Sequence, residues 1–409
     1  MKRFVLVLAV VTFVLTAVAD EYTDPSTNVV YTYDPNGTTA EVKRGVRDDF
    51  DDSNTVYKAG SPNASGDVVI LEKIPINGKE FSVTKIGDYA FCMLNDLIHV
   101  SIPSSVRTIG REAFAGCSNL ESVDMKEGLQ QIGQESFRGC VSLKSVLLPS
   151  GLESIGFAAF SGCHELTSIN IPASVQDIHF TSFAQCNSLC SITVEEGNNF
   201  FDSRSNCNAI VKTADNMLLI GCKNTEIPNS VTAIGEKAFM SCQGLTEIVI
   251  PESVREIGKY AFQNCSNLKV LTLTERLQTI RLGAFWECGL NAVTIPSSVK
   301  EIEPGALWMS GLAALTSLIE EPFEVNKICN LDACQTVLYV PAGAIEKYHA
   351  TPDWNLFAEI KEIAKNKVGT LTYVSEQCPN PLYGLQGCKL QHAPQKGIYI
   401  ENGKKYVVK

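Results

Sequence analysis

Apolar positions recur along this chain at a fixed interval. Phe91, Phe114, Phe137, Phe160 and Phe183 lie 23 residues apart, and the series resumes at Phe239, Phe262 and Phe285. Cysteines follow the rings in step, at Cys117, Cys140, Cys163, Cys186, Cys242, Cys265 and Cys288. One copy reads Ile155, Gly156, Ala159, Phe160, Cys163, Leu166, Ile169, Ile171 and Pro172, with mostly polar residues between. A fixed period of this size predicts a solenoid of stacked coils.

The spacing also predicts the parts of a coil. Ile169 and Ile171 are two apart and share one face of a strand, while Ser168 and Asn170 point to the other. Pro172 ends that strand because it cannot donate to a ladder. Val175 and Ile178 return the chain along the opposite wall. Ala159-Phe160 reads as a helical or 3₁₀ turn whose ring plugs the interior. No coil closes its own core, so neighbours must stack, with a rise set by the strand spacing of about 4.8 Å.

The motif Ile-Pro-x-Ser-Val-x-x-Ile-Gly-x-x-Ala-Phe-x-x-Cys-x-x-Leu stands at Ile102 to Leu120 and returns from Ile250 to Leu268. It resembles the signature of the BspA-type leucine-rich repeat proteins. The resemblance covers residues 83–321. It implies a β-rich, helix-poor, right-handed leucine-rich repeat solenoid of about nine to ten coils. It further implies a bacterial surface or secreted protein, in a family whose members are implicated in adhesion to host matrix proteins or to other cells.

The flanks read differently. Residues 1–19 have the form of a signal peptide: Lys2 and Arg3, an apolar run from Phe4 to Val18, and small residues up to Ala19. The run is too short for a membrane span of about 20 residues, so the mature protein is expected to be exported, without a transmembrane segment. Residues 20–82 are expected to cap the first coil with a β-hairpin, Val29–Tyr33 against Thr39–Lys43, and with strands at Val68–Leu71 and Phe81–Val83. Asp48, Asp49, Asp51 and Asp52 lack the spacing of a calcium loop and read as a solvated loop. Between Glu195 and Pro228 one coil is ten residues longer than the period and carries a hairpin around Ala214-Asp215-Asn216. Two readings of it stand: a decorated structural coil, or a loop projecting one edge of a binding surface. Residues 322–366 read as a C-terminal cap, with Trp354, Phe357 and Ile360 as its plug. The tail, 367–409, is either an edge hairpin turning at Asn402-Gly403 or, by resemblance to type IX-like export tails, a sorting or anchoring segment.

Charge and chemistry narrow the function. A net charge of −11 makes nucleic acid and anionic membrane surfaces poor partners. Of the 15 cysteines, the seven in the repeat slot read as small buried hydrophobes with free thiols. Cys329 with Cys334, Cys378 with Cys388 and Cys207 with Cys222 are candidate local pairs. His99 should project from the strand face, and His179, standing in a glycine slot, reads as surface variation. No metalloprotease, phosphate-loop or nucleophile-elbow motif occurs, so neither an enzyme nor a cofactor is expected.

A binding protein would use the stacked strand face. Its candidate residues are Asp124, Ser145, Ser168, Asn170, Ser191 and Thr193, with Phe200, Phe201 and Arg204 of the long coil at the edge. The expected partner is an extracellular protein or glycan, host matrix included. The other reading is a structural, envelope-associated spacer, in which Ser and Thr are present only because strands tolerate them. Oligomeric state is not set by the sequence.

Overall fold

A computed structural model describes residues 20–49, 55–309, 311–328 and 336–364, and the strands Leu382–Gly384, Lys389–Leu390, Gly397–Glu401 and Lys404–Val408. The chain divides into two units, Met1–Ile363 and Ala364–Lys409.

In the first unit an ordinary coil has three walls. The front wall is a strand such as Ser168–Ile171, with Ile169 and Ile171 buried and Ser168 and Asn170 exposed. The back wall is a two-residue strand such as Ser154–Ile155, paired in parallel with Gln131–Ile132 and Asp177–Ile178. A Cβ on Gly133 would stand 2.6 Å from the carbonyl oxygen of Ile109, so glycine is what fits at position 133.

The third wall corrects the expected helical or 3₁₀ turn. Glu112 and Gly116 have φ of 49° and 72°, and Glu135 and Gly139 have 55° and 73°. These left-handed residues turn alternate N–H groups along the stacking axis. Glu112, Phe114 and Gly116 therefore donate to the carbonyls of Gln134, Ser136 and Arg138 at 2.9, 2.7 and 2.7 Å. A helix would spend those donors within itself; here they join one coil to the next.

Inside, Phe91, Phe114, Phe137, Phe160 and Phe183 stack with centroids 5.0 to 5.5 Å apart and planes within 9°. Phe239, Phe262 and Phe285 repeat this at 4.9 and 5.2 Å. The thiols of Cys117, Cys140, Cys163, Cys186, Cys265 and Cys288 each donate to the carbonyl of the Phe one coil earlier, at 2.9 to 3.3 Å.

The front wall runs from Gly66–Val69 to Glu359–Glu362 in parallel sheets of four, two, two and four strands. That makes about twelve coils among the described residues rather than nine to ten. The end coils escape the motif because they pack on something other than a coil. At the N-terminal end the hairpin Val30–Tyr33/Thr39–Val42 lies parallel to Lys79–Ile86, and Tyr31 and Phe81 are buried. At the C-terminal end Tyr348, Trp354 and Phe357 are buried around the short helix Ile345–Ala350.

A second hairpin, Lys73–Ile76 against Lys79–Ile86, turns at Asn77-Gly78, both at positive φ. Asp48 and Asp49 belong to the strand Val46–Asp49, paired with Thr55–Lys58, and not to a loop. Asp51 and Asp52 fall outside the described residues, as do the leader segment, Cys329, Cys334, Cys378, Cys388 and Asn402-Gly403.

The long coil contains the expected hairpin, Ala209–Lys212 against Met217–Gly221. It does not project. Ile210 joins the hydrophobic core of the preceding coils, while Ala209 and Val211 join that of the following ones. The strand is thus a partition, buried on both faces.

In the second unit the described strands are antiparallel, with Glu401 opposite Lys404.

Candidate functional site

The front wall places the candidate residues in register. Ser122 lies beside His99 and Ser145, and Ser168 beside Ser191. Asp124 lies beside Ser101, and Asn170 beside Thr193. Ser145, Ser168, Asn170 and Thr193 are exposed, while Asp124 and Ser191 are half-buried.

Several already bond to one another. His99 Nδ1 is 2.7 Å from Ser122 Oγ. The Thr193 hydroxyl donates to Asn170 Oδ1 at 2.8 Å, and Asn170 Nδ2 donates to Glu195 Oε1 at 2.9 Å. Asp124 is ion-paired with Lys126 at 2.7 Å. The face also carries apolar residues that the sequence reading left out of the site. Leu147 is 77% exposed, Val249 60% and Val270 48%. Strand alternation was the signal that could have included them.

The long coil supplies less than expected. Phe200 is exposed, but Phe201 packs in the core at 5% exposure, because the strand Phe201–Asp202 turns it inward. Arg204 is also held. Its Nε donates to Asp202 Oδ1 at 2.7 Å and its Nη1 to Asn216 Oδ1 at 2.6 Å. Burial raises the Asp202 carboxyl, but its bonds to Arg204 outweigh this and leave it below its ordinary value. Phe201 and Arg204 therefore brace the long coil, and of the expected anchors only Phe200 faces solvent.

Cys207 and Cys222 are free thiols, which overturns the pairing considered for them. They donate to the carbonyls of Ala209 and Asn208 at 3.7 and 3.2 Å. Burial pushes the Cys117 and Cys186 thiols up to about 12, and those of Cys140, Cys163 and Cys265 well above the ordinary range. Among the described residues no group of His, Cys, Asp and Glu could hold a metal ion. Among them, too, no helix is long and apolar enough to cross a membrane.

Comparison with known proteins places the fold. The pneumococcal vaccine antigen PcpA is similar at 18% identity and a TM-score of 0.56, over 85% of this chain and 99% of that one. A leucine-rich repeat protein from Bacteroides ovatus is similar at 24% identity and a TM-score of 0.45, over 85% and 99%. A leucine-rich cell surface protein from Faecalibacterium prausnitzii is similar at 21% identity and a TM-score of 0.45, over 85% and 96%. No curated protein matches the chain. The model of the BspA-type leucine-rich repeat region matches residues 82–213 and 215–313 in six copies, more than half of the chain. The chain belongs to the BspA-type leucine-rich repeat family, a family of bacterial surface proteins.

Proposed function

We propose that the protein is exported and binds an extracellular protein or glycan through the front wall of its solenoid, without catalysis. The observation that carries this is the extent of the face. Its twelve parallel strands, at about 4.8 Å each, present a surface on the order of 55 Å long, with exposed Leu147, Val249 and Val270 among small polar residues. Extended regular faces are what repeat proteins use for binding. The second reading, a spacer, draws on the hydrogen bonds that tie Thr193, Asn170 and Glu195 to one another. Pull-down from host matrix and bacterial surface extracts separates the two. A partner retained by the native face and lost on joint Ser168→Lys, Asn170→Lys and Ser191→Lys substitution supports binding. No partner supports the spacer, and a partner indifferent to the substitutions moves the site from the front wall to the long coil or the N-terminal cap.

A further inference from the structure

The insertion leaves a mark on the turn wall, away from the front face. In an ordinary coil the chain runs from Gly110 to Cys117 through a full turn, which hydrogen-bonds to the next coil through Glu112, Phe114 and Gly116. In the long coil the strand Met217–Gly221 runs directly into Cys222. Gly221 N donates to Ala238 O at 2.9 Å, the rung that Phe160 N makes to Ser182 O elsewhere. Thr225 N then bonds Cys222 O at 3.2 Å, as Leu120 N bonds Cys117 O. Cys222 thus holds the cysteine position while the turn before it is missing. The coils on either side keep their turns, and a notch opens between them.

This notch is a cleft of about 560 Å³, within the roughly 300–1,000 Å³ of small-molecule sites. One bank carries His164, Gln185 and Asn187, and the other Gln243, Asn264 and Glu287 with two serines of the same coils. Every lining side chain is polar, with one carboxylate and neither lysine nor arginine. Asn187 Oδ1 is buried without a hydrogen-bond partner, while its Nδ2 lies 3.4 Å from His164 Nδ1.

We infer that the notch is a saccharide-binding cleft, separate from the front face. No lysine or arginine lines the cleft, the Lys269 ammonium beside it being held by the carbonyls of Ser266 and Gly289, and apolar groups find no apolar wall. Amide and hydroxyl side chains present donors and acceptors together, which matches the vicinal hydroxyls of a neutral sugar. The missing turn supplies the room, and the four amides supply the recognition.

The test uses the mature full chain on a printed array of neutral and anionic glycans, followed by calorimetry with the best free sugar. Gln243→Arg and Asn264→Arg, both at exposed positions, fill the cleft without touching the core, and unchanged melting verifies the fold. The expected result is neutral-glycan binding that weakens about tenfold or more in either variant. The same binding should persist in the Ser168, Asn170 and Ser191 lysine variant, so this result is independent of the fate of the front-face reading. A preference for anionic glycans would overturn the assignment. So would binding indifferent to the cleft variants, or no neutral-glycan binding up to the order of 1 mM.

Discussion

A phenylalanine in the middle of this chain touches a copy of itself on each side. Phe160 lies 5.2 Å from Phe137 and 5.5 Å from Phe183, and is fully buried. Phe160→Ala leaves a cavity that two neighbouring coils border, at a cost of about 3–5 kcal/mol. Ser168→Ala, on the exposed face, should cost under about 0.5 kcal/mol. Denaturant titration of the two variants checks the difference, and equal shifts would refute the inside–outside assignment. The thiols make a second residue-scale prediction. Cys117, Cys140, Cys163 and Cys186 are buried and protonated, so they should label slowly in the native state and fast on unfolding. Folding raises the pKa of the Cys117 and Cys186 thiols to about 12, so in alkaline solution the unfolded chain loses protons that the folded one keeps. Stability therefore falls as pH rises through and above the ordinary thiol value of 9.0, which melting from neutral to alkaline pH would show. Mass spectrometry finding these four cysteines in disulfides would refute the ladder.

At the scale of the element, the front and back strands were legible, and the turn wall was not. Ile169 and Ile171 declare a strand because alternation is local. Glu112 and Glu135 give no sign of positive φ, because their conformation is fixed by donors in one coil finding carbonyls in the next. Phe201 misled for the same reason: it stands between exposed Phe200 and polar Asp202, and its burial comes from the partition strand and the preceding core. The partition itself makes a prediction. Ile210→Asp places a charge between two cores and should destabilise the fold by several kcal/mol, about 3–5 in total, whereas Phe200→Ala should cost under about 0.5. Comparable costs would show that the hairpin projects after all. The seam beside it contains His179, in a slot that takes glycine in most other coils and Arg281 or Glu303 in two. His179 packs on Phe157 at 4.9 Å and Phe180 at 4.2 Å, and burial holds its pKa below the ordinary value of 6.5, with Asp177, Lys237 and Glu236 as the charges facing it. A depressed histidine pKa means that the unfolded chain binds the proton more readily. Stability should thus be full above pH 6.5 and decline as pH falls through the window beneath it. His179→Gln should flatten that decline in melting experiments, and an unchanged slope would contradict the assignment.

At the scale of the molecule, the repeat made the architecture legible wherever a coil has two coils as neighbours. The ends and the interruption hid their contributions because each packs on a different partner: a hairpin, a helix, or the partition. The candidate site was legible as a row, since Ser168 and Ser191 occupy equivalent positions of successive coils. Its apolar members were legible by strand alternation but were left out of the site, and the notch on the turn wall was not legible, because it depends on what adjoining coils leave uncovered. The central claim is that the front wall is a binding surface. The direct measurement is the affinity of a partner recovered by pull-down for the native protein and for the joint Ser168→Lys, Asn170→Lys and Ser191→Lys variant. Three lysines on an exposed face should leave melting nearly unchanged and weaken binding by about tenfold or more. Equal affinity for a variant that melts like the native protein would contradict the claim.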